Sequence, residues 1–304
     1  MNQNQKISDK IQNLKKQRNA VILAHNYQIG EVQDIADFVG DSLDLSQQAA
    51  RTDARVIVFC GVHFMAETAA ILSPEKTVLM PDVNAGCAMA NMITPRQFAE
   101  LKKEHPEAVY VCYVNCTAET KAECDYCCTS ANAIKVVQAI PQKKKIVFLP
   151  DKYLGSYVKS QTKRDLILWD GYCPTHRRIL PEDILKKKAA HPKAEVLVHP
   201  ECTPEVIAMA DQVLSTSGIC RHARESESEE FIIGTEIGIL HRLEKENPKK
   251  KFYPASELSD CPNMKLNNLE KILWSLEDMV YEVKVPEGIA KRAKKSIDRM
   301  LEIT

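Results

Sequence analysis

The 304-residue chain has no excess of charge of either sign: Lys+Arg and Asp+Glu both number 41, for a formal net charge of +0. Without a basic field to gather polyanions, nucleic acid is disfavoured as the main partner. Long hydrophobic runs are missing as well. No stretch approaches the roughly 18 consecutive apolar residues of a membrane-spanning helix, and the opening residues, MNQNQKISDKIQNLKKQRN, lack the apolar core of a secretory signal. These absences lead to the expectation of a cytoplasmic protein with neither nucleic acid nor membrane as partner.

What is present is ordinary in bulk and unusual in cysteine. Hydrophobic residues make up 44% and charged residues 27%, the balance of a folded globular chain rather than a disordered one. The length allows two or three compact units of about 100 residues each. Eleven cysteines is a high and odd count. In a reducing compartment, thiols at recurring positions are better read as metal ligands or nucleophiles than as disulfide staples.

Local pattern predicts a polar helix over 8–19 with Ser8 as N-cap, followed by strands alternating with helices. Short, almost wholly apolar runs at 20–28, 54–61 and 77–82 read as strands, with helices at 40–50 and 63–72 between them. The same order returns with strands at 108–115, 146–151 and 166–173 and a helix at 129–140. It returns again with strands at 195–201, 230–236 and 251–257 and a helix at 215–225. Apolar strands alternating with helices indicate parallel sheets covered on both faces. The fold class is therefore α/β, with three similar αβα units of three strands each in a pseudo-threefold arrangement around a central site. The units are expected at 1–105, 106–193 and 194–261, with closing helices in 262–304. There, Leu266, Leu269, Ile272, Leu273 and Leu276 form one helical face, and a second helix covers 286–302.

Aligning the units by number alone brings polar residues into register. The first strands end on His25, Tyr113 and His199, at gaps of 113 − 25 = 88 and 199 − 113 = 86. Tyr27, Asn115 and Glu201 follow two residues later, and Ser42, Ser130 and Thr216 open the first helices as candidate N-caps, all at the same gaps. Ligands meet parallel α/β units at the carboxyl ends of the strands, beside helix N-termini. Three converging hydroxyl-bearing helix starts would suit a substrate with several anionic groups. The histidines, tyrosines and glutamate would supply acid–base groups, with Tyr113 also offering a face for stacking.

Cys87, Cys173 and Cys261 are spaced almost equally, 173 − 87 = 86 and 261 − 173 = 88 residues apart. Three thiolates without a fourth would leave one iron of a 4Fe-4S cluster open to water or substrate, as a Lewis acid. The denser Cys124, Cys127 and Cys128 group occurs in one unit only and reads as separate from this set. Cys60, Cys112, Cys116, Cys202 and Cys220 read as core fillers, with Cys112 and Cys116 candidates for exposure. His63 and His176 are secondary site candidates, of which His176, three residues after Cys173, is the better placed.

In this order the residues resemble the quinolinate synthase family. The resemblance runs from His25-Asn26-Tyr27-Gln28, Gly40-Asp41-Ser42, Pro81-Asp82 and Gly86-Cys87 through Tyr113-Val114-Asn115 and Thr129-Ser130-Ala131-Asn132-Ala133. It continues in Gly171-Tyr172-Cys173, His199-Pro200-Glu201-Cys202, Gly234-Thr235-Glu236 and Cys261-Pro262-Asn263-Met264-Lys265. Thr175 stands where the family often has Val. The resemblance implies a triangular enzyme whose 4Fe-4S cluster is held by Cys87, Cys173 and Cys261. It also implies condensation of iminoaspartate with dihydroxyacetone phosphate, with loss of phosphate and water, to give quinolinate for de novo NAD biosynthesis. By the same resemblance Tyr27 and Glu201 take part in proton transfers, and His25 and His199 line the site. Tyr113 and Asn115 contact substrate, while Ser42, Ser130 and Thr216 hold its anionic groups. An enzyme that produces iminoaspartate is the expected functional partner. Two other readings remain at this stage: a zinc-dependent hydrolase or lyase using Cys, His and Glu from the same cavity, and a non-enzymatic iron–sulfur redox sensor.

Overall fold

The apolar runs become parallel strands whose inner members are buried on both faces. In the computed structural model, which describes residues 3–303, the first sheet holds β1 (Ala20–His25), β2 (Phe38–Gly40), β3 (Val56–Cys60) and β4 (Thr77–Leu79). The second holds β5 (Val109–Tyr113), β6 (Tyr126–Cys128), β7 (Ile146–Leu149) and β8 (Leu166–Leu168). The third holds β9 (Glu195–Val198), β10 (Gln212–Val213), β11 (Glu230–Gly234) and β12 (Lys251–Pro254). The strand orders are β2-β1-β3-β4, β6-β5-β7-β8 and β10-β9-β11-β12, so one winding is used three times.

Each sheet has four strands, which corrects the expected three. The additional strand is an edge of two or three residues in every case, paired with the first strand of its unit. Such a stub is too short to show periodicity. Its position is instead fixed by an aspartate. Asp37 Oδ2 accepts from Ile22 N–H (2.7 Å), Asp125 Oδ2 from Tyr110 N–H (2.8 Å) and Asp211 Oδ2 from Val196 N–H (2.8 Å). Each of these carboxylates satisfies a first-strand donor that the short edge leaves unpaired. Their gaps are again 125 − 37 = 88 and 211 − 125 = 86.

A cation repeats in the same way. Lys76 Nζ donates to the Ala49 and Thr52 carbonyls, Arg164 to those of Val137 and Ile140, and Lys250 Nζ to those of Ala223 and Ser226. These carbonyls belong to the last turns and caps of helices Ser42–Arg51, Ala133–Ala139 and Thr216–Glu225. A cation there neutralises the negative end of the helix dipole and satisfies its orphan acceptors.

Other elements shift from expectation. The first helix spans Gln3–Arg18 among the described residues, so Ser8 lies inside it and caps nothing. Ile7 and Ile11, buried in a cluster with Leu269, Ile272, Leu273 and Leu276, carry the helix upstream. The helix expected at 129–140 begins at Ala133, because Asn132 Oδ1 accepts from Thr129 N–H and closes a turn first. Helices Pro95–Glu104 and Pro181–Ala190, not read from the sequence, each start on a proline suited to a first turn. The two closing helices, Leu269–Asp278 and Glu287–Glu302, part company: the first packs on Gln3–Arg18 and β3, the second on Ala118–Ala122 and β6. Cys112 and Cys116 are fully buried, against the expectation that they could be exposed. Among the described residues, no helix is long and apolar enough to cross a membrane.

Candidate active site

The first strands of the three sheets deliver their carboxyl ends to one cavity of about 230 Å³. Every residue singled out as a site candidate lines it: His25, Tyr27, Ser42, Cys87, Tyr113, Asn115, Ser130, Cys173, His176, His199, Glu201, Thr216 and Cys261. His63 is the exception among the secondary candidates. It faces solvent beside Glu67, at 3.7 Å.

Ser42 and Thr216 are not N-caps but the first residues of their helices. The caps are Asp41, which accepts from Leu43 and Asp44 N–H, and Ser215, which accepts from Gly218 N–H. Ser215 Oγ also donates to Asp41 Oδ2 (3.0 Å), and Asn26 Nδ2 donates to Thr216 Oγ1 (2.8 Å), so the two helix starts are fastened together at the cavity wall. With a preceding residue capping, the Ser42 and Thr216 side chains are left for the cavity. Ser130 sits in the turn before its helix, its Oγ 3.1 Å from His199 Nε2.

The histidines are set by backbone. Tyr27 N–H donates to His25 Nδ1 (3.2 Å) and Glu201 N–H donates to His199 Nδ1 (3.3 Å), the same two-residue loop in two units. With Nδ1 an acceptor, each neutral ring carries its proton on Nε2. Burial pushes both histidines down to about 3, despite the opposing charge of Glu201, so near neutral pH they are hydrogen-bond donors rather than cations.

Glu201 is fully enclosed, yet ionised. Burial works against its charge, but His176 beside it, with hydrogen bonds from His176 and Tyr113, outweighs that and holds it below the usual carboxylate range. Tyr113 OH donates to Glu201 Oε1 at 2.5 Å, and His176 Nδ1 lies 2.9 Å from Oε2. If Nδ1 donates there, neutral His176 accepts at Nε2, where Thr235 Oγ1 at 2.8 Å is the nearer donor and Tyr27 OH lies at 3.3 Å. Thr235 then accepts from Tyr27 OH at 2.6 Å. Donor counting thus orders a chain Tyr27–Thr235–His176–Glu201. Burial, followed by the charge of Glu201, raises both tyrosines well above the ordinary value, so they enter as neutral phenols. Asn115 Oδ1 is a buried acceptor at the same cavity, without a partner among the described residues.

The three cysteines stand in matching loops. Each precedes a short helical turn, Met89–Asn91, Pro174–Arg177 or Met264–Leu266. Backbone N–H groups of Met89 and Ala90 point at the Cys87 sulfur, that of His176 at Cys173, and those of Asn263 and Met264 at Cys261. Burial is the main cause that pushes Cys87 up to about 12 and raises Cys173 and Cys261 too. Bare thiolates are therefore disfavoured here, and a positive metal centre would convert the set into ligands. Thiols on one cavity with N–H donors aimed at each sulfur fit an iron–sulfur cluster. The Cys173 thiol, His176 and Glu201 also offer donor atoms within 4.8 Å of one another.

Several supporting residues carried no assigned role in the sequence. Asp151 Oδ2 accepts from Cys173 N–H (3.2 Å) and Glu236 Oε1 from Cys261 N–H (3.0 Å), each carboxylate lying just beyond the third strand of its unit. Lys265 pairs with fully buried Glu236 (2.9 Å) and donates to the Tyr27 carbonyl (2.5 Å). That ion pair ties the Cys261 loop to the Tyr27 loop. Acidic residues at strand ends were the available signal, visible in Gly234-Thr235-Glu236 and Pro150-Asp151.

Fold and site together define an enzyme of the parallel α/β class, with catalytic groups gathered from three sheets at their carboxyl ends. Comparison with known proteins narrows the class. The family model described as quinolinate synthetase A protein matches residues 9–302. The chain is 58% identical over 298 residues to quinolinate synthase of Dehalococcoides mccartyi strain 195, covering 98% of each chain. It is 56% identical over 291 residues to that of Thermodesulfovibrio yellowstonii (95% of this chain, 96% of the relative) and 54% identical over 301 residues to that of Methanosarcina barkeri, covering 99% of each. The chain belongs to the quinolinate synthetase A family, and its activity is the family's, quinolinate synthesis in NAD biosynthesis.

Proposed function

We propose that the cavity condenses iminoaspartate with dihydroxyacetone phosphate, with loss of phosphate and water, and that Cys87, Cys173 and Cys261 hold a 4Fe-4S cluster at its wall. The observation that carries this reading is the meeting of those thiols with the Tyr27–Thr235–His176–Glu201 chain in one enclosed space. A cluster with one iron free of protein ligands supplies a Lewis acid for the substrate's oxygen groups. The remaining chemistry belongs to the side chains.

Ser42, Ser130 and Thr216 hydroxyls, with the helix starts beside two of them, receive the anionic groups of the substrates. Burial, with Asp44 nearby, raises Asp41 above its ordinary value. The Nε2–H groups of His25 and His199 donate to carbonyl or carboxylate oxygens, and the orphaned Asn115 Oδ1 accepts from an amine or hydroxyl. Glu201 is the base: ionised and near the neutral histidines, it takes a proton from the carbon or nitrogen being activated. Tyr27 returns one, and its loss is made good from the protonated carboxyl through the opposite His176 tautomer: Nδ1 takes the proton from Glu201 while Nε2–H donates through Thr235 to the Tyr27 oxygen, which restores the starting state. Tyr113, bonded to Glu201 Oε1, keeps that carboxylate aimed.

The enzyme acts in the cytoplasm beside a separate enzyme that supplies the labile iminoaspartate. The test is anaerobic turnover of the two substrates with quinolinate measured directly. Brown, iron-loaded protein that forms quinolinate supports the reading. Colourless zinc-loaded protein that is active would overturn the cluster assignment, and iron-loaded protein without turnover would overturn the substrate assignment.

A further inference from the structure

A second group of thiols lies away from the cavity, in the second sheet. Cys112 on β5 and Cys127 on β6 are direct register partners, and their sulfurs are 3.4 Å apart. Neighbouring strands run about 4.8 Å apart, inside the Cα separation of about 4.4–6.8 Å that a disulfide spans. Both residues are fully buried. The Cys116 and Cys124 side chains also reach Cys112, and Cys124 is the half-buried member of the group.

The surroundings favour ionisation of one of these thiols, the one that attacks last. Lys121 is fully buried, its ammonium held by the Phe64 carbonyl (3.2 Å) and Thr68 Oγ1 (3.0 Å), both neutral. Ser296 Oγ, from the closing helix Glu287–Glu302, lies 3.3 Å from the Cys127 sulfur. Burial opposes ionisation of Cys127, yet the Cys112 contact and the Lys121 charge bring its pKa below the ordinary thiol value.

We propose that Cys112 and Cys127 form a reversible dithiol–disulfide couple, reached from outside through Cys124 and coupled to the active site. Burial pushes the Cys124 thiol up to about 11, so Cys124 gives up its proton as it attacks an external low-molecular-weight disulfide and expels one thiolate. Cys112 then attacks the Cys124 sulfur of the mixed disulfide, gives up its proton and expels the second thiolate. Cys127 thiolate finally attacks the Cys112 sulfur and releases Cys124. The protein loses two electrons and two protons, and the external disulfide becomes two thiols. The coupling is covalent and short: Tyr113 follows Cys112 directly, and Ser130 lies three residues beyond Cys127. Drawing the two strands together shifts the residues that aim Glu201 and bond His199.

The test treats anaerobic holoenzyme with oxidised glutathione, alkylates free thiols in denaturant and maps tryptic peptides by mass spectrometry. Trypsin separates Cys112 and Cys116 in 104–121 from Cys124, Cys127 and Cys128 in 122–135, so a bond between the strands appears as one cross-linked pair. The expected result is a Cys112–Cys127 bond, with quinolinate formation lowered about fivefold and restored by dithiothreitol. Cys112→Ser and Cys127→Ser lose both effects, whereas Cys116→Ser keeps them. Full alkylation of Cys112 and Cys127 in treated wild-type protein overturns the proposal, as does a bond confined to Cys116 and Cys124. The peptide map stands whether or not the substrates proposed above are correct.

Discussion

Cys87, Cys173 and Cys261 stand on loops of three different sheets, half-buried, and look into one cavity. Cys112, Cys127 and Cys128 on one sheet, with Cys116 and Cys124 in the segments between its strands, crowd together, four of the five fully buried and the group flanked by Ser296 of the closing helix. The first set is dispersed over 261 − 87 = 174 residues and the second over 128 − 112 = 16. Yet it is the dispersed set that has backbone N–H groups aimed at each sulfur and acid–base groups around it. In a parallel α/β chain, distant strand ends meet, so function follows topology rather than proximity in sequence.

Substitutions separate the two sets most sharply. Cys87→Ala, Cys173→Ala or Cys261→Ala is expected to abolish quinolinate formation and strip iron, measured by anaerobic turnover and metal analysis, because each removes one of the three proposed ligands. Glu201→Gln keeps the shape but removes the proposed base. Its kcat is expected to fall by about 10²–10⁴ with iron content unchanged, which divides chemistry from cluster assembly.

Cutting the relay has a milder effect. Thr235→Val removes the hydroxyl between Tyr27 and His176, and kcat should drop about tenfold or more, with KM little altered. A rise in KM alone would make Thr235 a binding residue instead.

Acid acts on the histidines. His25 and His199 are held near about 3 in the folded protein, below the ordinary 6.5. Between those values the unfolded chain binds more protons, so stability falls as pH drops below about 6.5, by up to about 1.4 kcal/mol per pH unit for each ring. Urea midpoints measured from about pH 7.5 down to about pH 5 should show this, and His199→Gln should make the slope shallower. An unchanged slope would mean that His199 is not held neutral by the fold.

The smallest effect belongs to the second thiol set. Cys128→Ala should cost about 1 kcal/mol of stability, read by urea unfolding, and leave activity close to wild type.

Much of the architecture was legible because it repeats. Gaps of 88 and 86 residues placed His25, Tyr113 and His199 at equivalent strand ends, and the same gaps run through Asp37, Asp125, Asp211 and Lys76, Arg164, Lys250, whose roles only the folded chain displays. The edge strands escaped notice because two or three residues cannot declare a period. The N-caps were misplaced by one residue at Ser42 and Thr216, since adjacent Asp41 and Ser215 compete for the same backbone donors. Thr235, Glu236 and Asp151 were visible as polar residues after strands, but their partners come from other units. Tyr27 and Thr235 are 208 residues apart, and no local pattern encodes such a contact.

Iron and sulfide analysis of two triple variants, purified anaerobically, tests the central comparison most directly. With Cys124, Cys127 and Cys128 all changed to Ala, the protein should keep about four iron and four sulfide per chain. With Cys87, Cys173 and Cys261 changed to Ala, it should keep none. Loss of iron from the first variant and retention by the second would contradict the account.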